Sequence, residues 1–297
     1  MPNGAKPHLN KEDLANSYGW ALSVLKSDPS LWKMFNQAIK HDWASDKFVA
    51  EIRTTHWFKH TGDQARAALI LQKTDPATWQ AKMNEAFATV RDQAAQLGSQ
   101  MSDASLKRIA KNSLLFGWNA GQMRDTLAAG VKVAAHSGAY TGEAAVSSAR
   151  LHEVARNNGL KLSDATAQNW VRRIASGEQM SGFESYIRSQ AATAFPAWKD
   201  QLAAGADASD LASPYINSMA QTLELNPSDI DLFDPTIRKA MQNVTPDGAG
   251  KTTIGAMPQW QFEQNLKQDK RWLSTNNARD SLNGVAHNVL TSMGLTS

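Results

Sequence analysis

The 297-residue chain contains no cysteine. Disulfides, Cys-ligated zinc, iron–sulfur clusters and thiol catalysis are therefore excluded. No apolar run approaches the roughly 18 residues needed to cross a bilayer, so no transmembrane segment is expected. The opening Met1-Pro2-Asn3-Gly4-Ala5-Lys6-Pro7 lacks the apolar stretch of a secretion signal, and Sec export is not expected either. Charge of one sign is also scarce. Lys and Arg number 31 against 28 for Asp and Glu, a net charge of +3. No block of five or six basic residues occurs, and Lys107-Arg108 and Arg172-Arg173 read as solvated helix faces. The balance argues against a nucleic-acid partner. Period-two alternation is missing as well, so no large sheet is expected.

Apolar content is 42%, enough for a buried core, and the ten tryptophans outnumber the four tyrosines. The apolar pattern has the helical period almost throughout. Trp79, Met83, Phe87, Val90, Ala94 and Leu97 form one stripe that Gly98 closes as a C-terminal cap. Leu282, Val285, Ala286, Val289, Leu290 and Met293 form another, ending at Gly294. Asp28-Pro29, Asp75-Pro76, Ser213-Pro214, Asn226-Pro227 and Asp234-Pro235 each read as an N-cap followed by proline at the first helical position, where its missing N–H costs nothing. Asn10, Ser102, Ser163 and a capping box at Ser181–Glu184 mark further starts. The fold class that follows is all-α, about a dozen short helices arranged in αα-hairpins.

Two internal echoes suggest duplication. In the first, Asp28-Pro29-Ser30-Leu31 matches Asp234-Pro235-Thr236-Ile237. Phe48, Ile52, Trp57-Phe58, Thr61 and Ala65-Arg66 then match Phe262, Leu266, Trp272-Leu273, Thr275 and Ala278-Arg279. The second copy carries an insertion over Thr245–Gly250 that reads as a solvent loop. In the second echo, Gly98, Ser102-Asp103-Ala104, Ile109, Gly117 and the segment 123–127 match Gly159, Ser163-Asp164-Ala165, Ile174, Gly177 and 183–187. Three regions follow: an N-terminal module over 1–97, a middle αα-hairpin region over 98–206, and a related C-terminal module over 207–297. Linkers are expected at Gly205–Ser209 and at Ser137–Gly142.

No complete catalytic constellation emerges. Gly250-Lys251-Thr252 resembles the end of a phosphate-binding loop, but Thr245 stands where that motif needs glycine, and no strand–loop–helix frame surrounds it. His56 and His60 have metal-ligand spacing, yet Trp57 stands where a zincin needs Glu, so both read as polar flanks of a Trp-Phe anchor. No Gly-x-Ser-x-Gly occurs. Glu12, Glu51, Glu143, Glu153 and Glu184 read as ordinary helix-surface carboxylates. No catalytic, cofactor-binding or metal-ligating residue is assigned, and no cofactor or small-molecule substrate is implied. Most tryptophans read as core. Trp43 and Trp260, set among polar residues, and the Trp57-Phe58 and Trp272 anchors are the candidates for a partner surface.

The segments Tyr18–Leu25, Asp28–Trp32, Phe48-Val49, Trp57-Phe58, Phe116–Asn119, Ser213–Ala220, Asp231–Ala240 and Arg271–Leu282 together resemble a family of virion proteins from tailed phages of actinobacteria, minor tail proteins or C-terminal regions of tape-measure proteins. The resemblance implies a non-enzymatic structural component, made in the bacterial host cytoplasm and located in the virion, in or next to the tail. Its implied partners are other virion proteins, with homo-oligomerisation following from the rotational symmetry of tail positions. A tape measure also needs hundreds of residues of long helix, which this chain lacks, so the expectation is a separate module. The alternative within the same biology is a cell-wall hydrolase or an ejected internal protein that aids genome delivery.

Overall fold

A computed structural model describes residues 10–135, 137–246 and 252–293. The fold is all-α. The elements in order are α1 (Lys11–Ser17), α2 (Leu22–Leu25), α3 (Pro29–Lys40), α4 (Ser45–Ile52), α5 (His56–His60), α6 (Asp63–Thr74), α7 (Pro76–Leu97), α8 (Asp103–Phe116), α9 (Ala120–Ala128) and α10 (Gly142–Asn157). They continue through α11 (Asp164–Ala175), α12 (Met180–Ala194), α13 (Lys199–Ala203), α14 (Ala208–Leu223) and α15 (Pro235–Met241) to α16 (Gln259–Leu266) and α17 (Asn276–Ser292). Three 3-10 turns, Pro196–Trp198, Pro227–Asp229 and Lys270–Ser274, join them. A single antiparallel hairpin among the described residues pairs β1 (Asn243–Pro246) with β2 (Thr252–Gly255), with Val244 opposite Ile254.

Cap chemistry explains most of the helix starts. Asp28, Asp75 and Asp234 each accept a backbone N–H from the first turn of α3, α7 and α15, with proline at the next residue. Asn10, Ser102 and Ser163 cap α1, α8 and α11 in the same way. Two expected starts differ. Pro214 lies inside α14, because Ala208, Ala212, Tyr215 and Met219 form one buried stripe whose packing carries the helix through the proline. Ser181 lies in the first turn of α12, which begins after Gln179, and a complete capping box occurs instead at Asn119 and Gln122 of α9. Two residues of the expected solvent insertion, Thr245 and Pro246, belong to β1, where Thr245 and Thr253 lie opposite each other. Residues 247–250, like Gly294, lie outside the described residues.

The chain divides into two compact units, residues 1–145 with 175–177, and 146–174 with 178–297. This is not the three-region division expected from the sequence, and the expected linkers explain why. Gly98 and Gly142 both have positive φ, 81° and 57°. A Cβ on Gly98 would overlap the Thr141 carbonyl, and one on Gly142 the carbonyls of Gln96 and Ala95. The end of α7 and the start of α10 therefore touch backbone to backbone at Thr141 and Gly142, within the first unit, while Gly138 has open space around it. In the second unit, Gly205–Ser209 is no linker either. Ala208 is fully buried and Asp207 accepts from Asn158 Nδ2 at 3.1 Å and Arg188 Nε at 3.2 Å. The fully buried Asn158 also accepts the Ala208 N–H, so its polar atoms are satisfied in a dry site.

Each unit closes its own core. In the first, Tyr18, Leu25, Leu31, Phe35, Phe48, Ile52 and Trp57 form one cluster. In the second, Phe195, Trp198, Leu202, Tyr215, Met219, Ile237, Met241, Met257, Phe262 and Leu266 form another. The sequence echo between the chain ends is matched by geometry. Phe48 and Phe262 are both buried one turn into their helices, and Ile52 and Leu266 follow one turn later. The middle echo also shares its caps: Gly98 and Gly159 both end a helix with positive φ, as do Gly117 and Gly177 after α8 and α11.

Candidate interaction surface

In the second unit α17 and its C-cap residue carry five exposed large apolar side chains, Leu282, Val285, Val289, Leu290 and Met293, and the construction of this face starts at the 3-10 turn before α17. Asp269 caps that turn. The Arg271 guanidinium sits between Asp269, at 2.7 Å, and Asp234, at 3.1 Å, and donates to Thr236 Oγ1 at 2.9 Å. These contacts hold the guanidinium above its usual pKa range, through Asp269 first and Asp234 next. Asp269 is held below the usual carboxylate range by the Arg271 side chain. This ties α15 to the turn that carries Trp272.

Glu224 then fixes the start of α17. It ends α14 in the left-handed region, at φ 53°, and its carboxylate accepts the N–H groups of Asn276, at 3.0 Å, and Asn277, at 2.7 Å. Those two amides hold its pKa below the usual range. An anion at a helix N-terminus is the arrangement the dipole favours. Thr275 adds the side-chain cap, and Ala278 is buried. From residue 279 to 293 every residue is exposed. The apolar stripe of this segment is intact: Leu282 is 60% exposed and Met293 66%, with Val285, Val289 and Leu290 between them.

The corresponding helix of the first unit is α6, which also follows a Trp-bearing turn. There Arg66 donates to the carbonyls of Phe58 and Thr61, pairs with Asp63, and lies 3.9 Å from the Phe58 ring centroid. Unlike α17, α6 packs against α7 and α8, and Leu69 and Ile70 join the core cluster.

The five expected surface residues take different places. Trp260 is exposed, at 62%. Trp57 is buried, packed edge-on against Trp20 at 6.2 Å, so it is a core residue and offers a partner no face. Trp43 and Phe58 are half-buried against the first core, and Trp272 against the second. Trp57 sits on a five-residue helix packed into the core, whereas Trp43, Phe58 and Trp272 keep part of their surface in solvent. The α17 stripe was visible in sequence as a helix face, but its exposure was not, since periodicity gives the face and not what covers it.

Among the described residues no group of three or more His, Asp or Glu is placed to hold a metal. His56 and His60 stack on each other, ring centroids 3.9 Å apart, with His60 Nδ1 on the His56 carbonyl. Of the carboxylates singled out in the sequence, Glu143 pairs with Arg124 at 2.7 Å, Glu153 with Arg150 at 2.9 Å and Glu184 with Arg188 at 3.9 Å. Thr245 lies opposite Thr253 and Pro246 opposite Thr252 in the β-hairpin, while Gly250 and Lys251 lie outside the described residues. No described helix is long and apolar enough to cross a membrane. Neither a protein family, nor a curated protein, nor a solved structure matches the chain.

Proposed function

We propose that the protein is a non-enzymatic structural component of a tailed-phage virion, in or next to the tail, which assembles with other virion proteins. The sequence resemblance supplies the biological setting. The observation that carries the assembly role is the exposed apolar face of α17, whose first turn is fixed by Glu224 and Thr275 and whose Leu282, Val285, Val289 and Leu290 all stand in solvent. A soluble chain that keeps such a face needs a protein to cover it. Exposed Trp260, on α16 of the same unit, adds a bulky anchor suited to an interface.

The test is mass spectrometry of purified particles of the phage that encodes the chain, with zymography on host peptidoglycan in parallel. The expected result is the protein in mature particles and no clearing. Its absence from particles overturns the virion reading, and clearing by the pure protein overturns the non-enzymatic one.

A further inference from the structure

The neighbour that covers α17 has a definite chemistry. Beyond its first turn the helix carries Arg279, Asp280 and His287 and is otherwise uncharged. At 100° per residue the apolar positions 282, 285, 286, 289, 290 and 293 span about 140° of the circumference, and Gly284, Thr291 and Asp280 lie opposite. A helix that lies on a membrane surface carries Lys and Arg along its polar face; this one carries Asn, Ser, Thr and Gly. A partner selected by charge would need charges flanking the stripe along its length, and from 281 to 293 there is no Lys, Arg, Asp or Glu. The helix also stands poorly alone. Gly284, two valines and two asparagines between 283 and 289 lower its propensity, and solitary helices of about 15 residues are marginal in water.

We infer that the occupant is α17 of a second copy of this chain, packed antiparallel along the Leu282–Met293 stripe. The stripe is symmetric about its midpoint, so a two-fold axis there brings Leu282 opposite the partner's Met293 and Val285 opposite the partner's Leu290. The antiparallel arrangement also puts the two Arg279 groups at opposite ends, each beside the carbonyl terminus of the other helix, where a cation is favoured. A parallel pair would place Arg279 against Arg279. Six apolar side chains from each helix bury on the order of 1,000 Å² together, just under the ~1,200–2,000 Å² of standard interfaces. An interface of that size fits a weak, reversible dimer.

This inference deepens the assembly reading and rests on it for the need of a protein partner; particle composition tests the virion setting separately. The chain has no cysteine, so introduced thiols report cleanly. Sedimentation of the full chain across the micromolar range is expected to show a monomer–dimer equilibrium. Leu282→Asp with Val289→Asp abolishes it, while Asn288→Asp on the polar face leaves it unchanged. Under oxidation, a mixture of Leu282→Cys and Met293→Cys chains forms the mixed disulfide, and Leu282→Cys alone does not. A chain that stays monomeric throughout, self-association untouched by the double aspartate variant, or a Leu282–Leu282 disulfide would each overturn the proposal.

Discussion

The Tyr215 hydroxyl donates to the Met257 carbonyl at 2.6 Å while its ring packs edge-on against Phe262 at 5.2 Å. The first unit repeats this relationship. Tyr18 donates to the Trp43 carbonyl at 2.9 Å, and its ring lies 4.5 Å from Phe48. In each copy the accepting residue stands five positions before the phenylalanine. Its own N–H is also used: Trp43 donates to the Ala38 carbonyl at 3.0 Å and Met257 to that of Ala240 at 2.7 Å. One residue ahead of each phenylalanine helix is thus held on both sides, by the preceding helix and by a tyrosine. The shared geometry is stronger support for duplication than shared caps and glycines, which recur in any helical protein.

The two clamps predict matched losses. Tyr215→Phe keeps the ring and leaves the buried Met257 carbonyl without its donor, at a cost of about 1–2 kcal/mol. Tyr18→Phe is expected to cost about the same. Denaturant midpoints of the two variants, at unchanged slope, check this; an effect confined to one copy would show that the two clamps are not equivalent.

Phe48 and Phe262 are the largest side chains enclosed by these clamps. Truncating either to alanine leaves a cavity in its own core and is expected to cost about 3–5 kcal/mol. Phe→Leu at the same positions costs much less, because most of the volume is retained. Thermal unfolding of the four variants measures the ratio.

Glycine substitutions separate contact from conformation. Gly142→Ala drives a methyl group into the backbone carbonyls of Gln96 and Ala95 at φ 57°, whereas Gly19, at φ 74°, has open space around it. Gly19→Ala is expected to lose about 1 kcal/mol from its dihedral alone. Gly142→Ala loses several times that, since backbone on both sides has to move. Calorimetry on the two variants tests the difference.

Acid acts on α17 through Glu224. Its folded pKa lies below the unfolded value of about 4.3. The cap therefore contributes its full stabilisation above that pH and loses it as pH falls through the folded pKa. Amide resonances of Asn276 and Asn277 are expected to titrate together below pH 4.5, and Glu224→Gln to remove that transition. A titration unchanged by the substitution would assign it to another carboxylate.

Much of the fold is legible in sequence because its signals are local. Asp28-Pro29 or Ser102 specifies a helix start within four residues, and Gly98 specifies its end. Ser213-Pro214 carries the same signal as Asp28-Pro29 yet lies mid-helix, since the Ala208–Met219 stripe is a long-range fact about what buries it. The two compact units cut across the three expected regions for a related reason: Gly98 and Gly142 read as breaks along the chain, and their close approach lies within one unit. The β-hairpin escaped notice because four-residue strands carry too little alternation to register. The tryptophans divided along similar lines. Nine are buried or half-buried, as expected for most of them, and only Trp260 stands free.

The clamped residue has a further consequence. Between α3 and Trp43 the first copy spends two residues, whereas between α15 and Met257 the second spends fifteen, including the β-hairpin. The helices on either side keep the same relation to the tyrosine and the phenylalanine. Because both edges of the connection are fastened by hydrogen bonds to core elements, its length is uncoupled from the packing behind it, and lengthening it costs only the slow logarithmic entropy of a longer loop. The junction is a socket in the architecture: a place where one copy has already accepted an added structure, and where the other, between Asp42 and Trp43, has the same fastening to accept one.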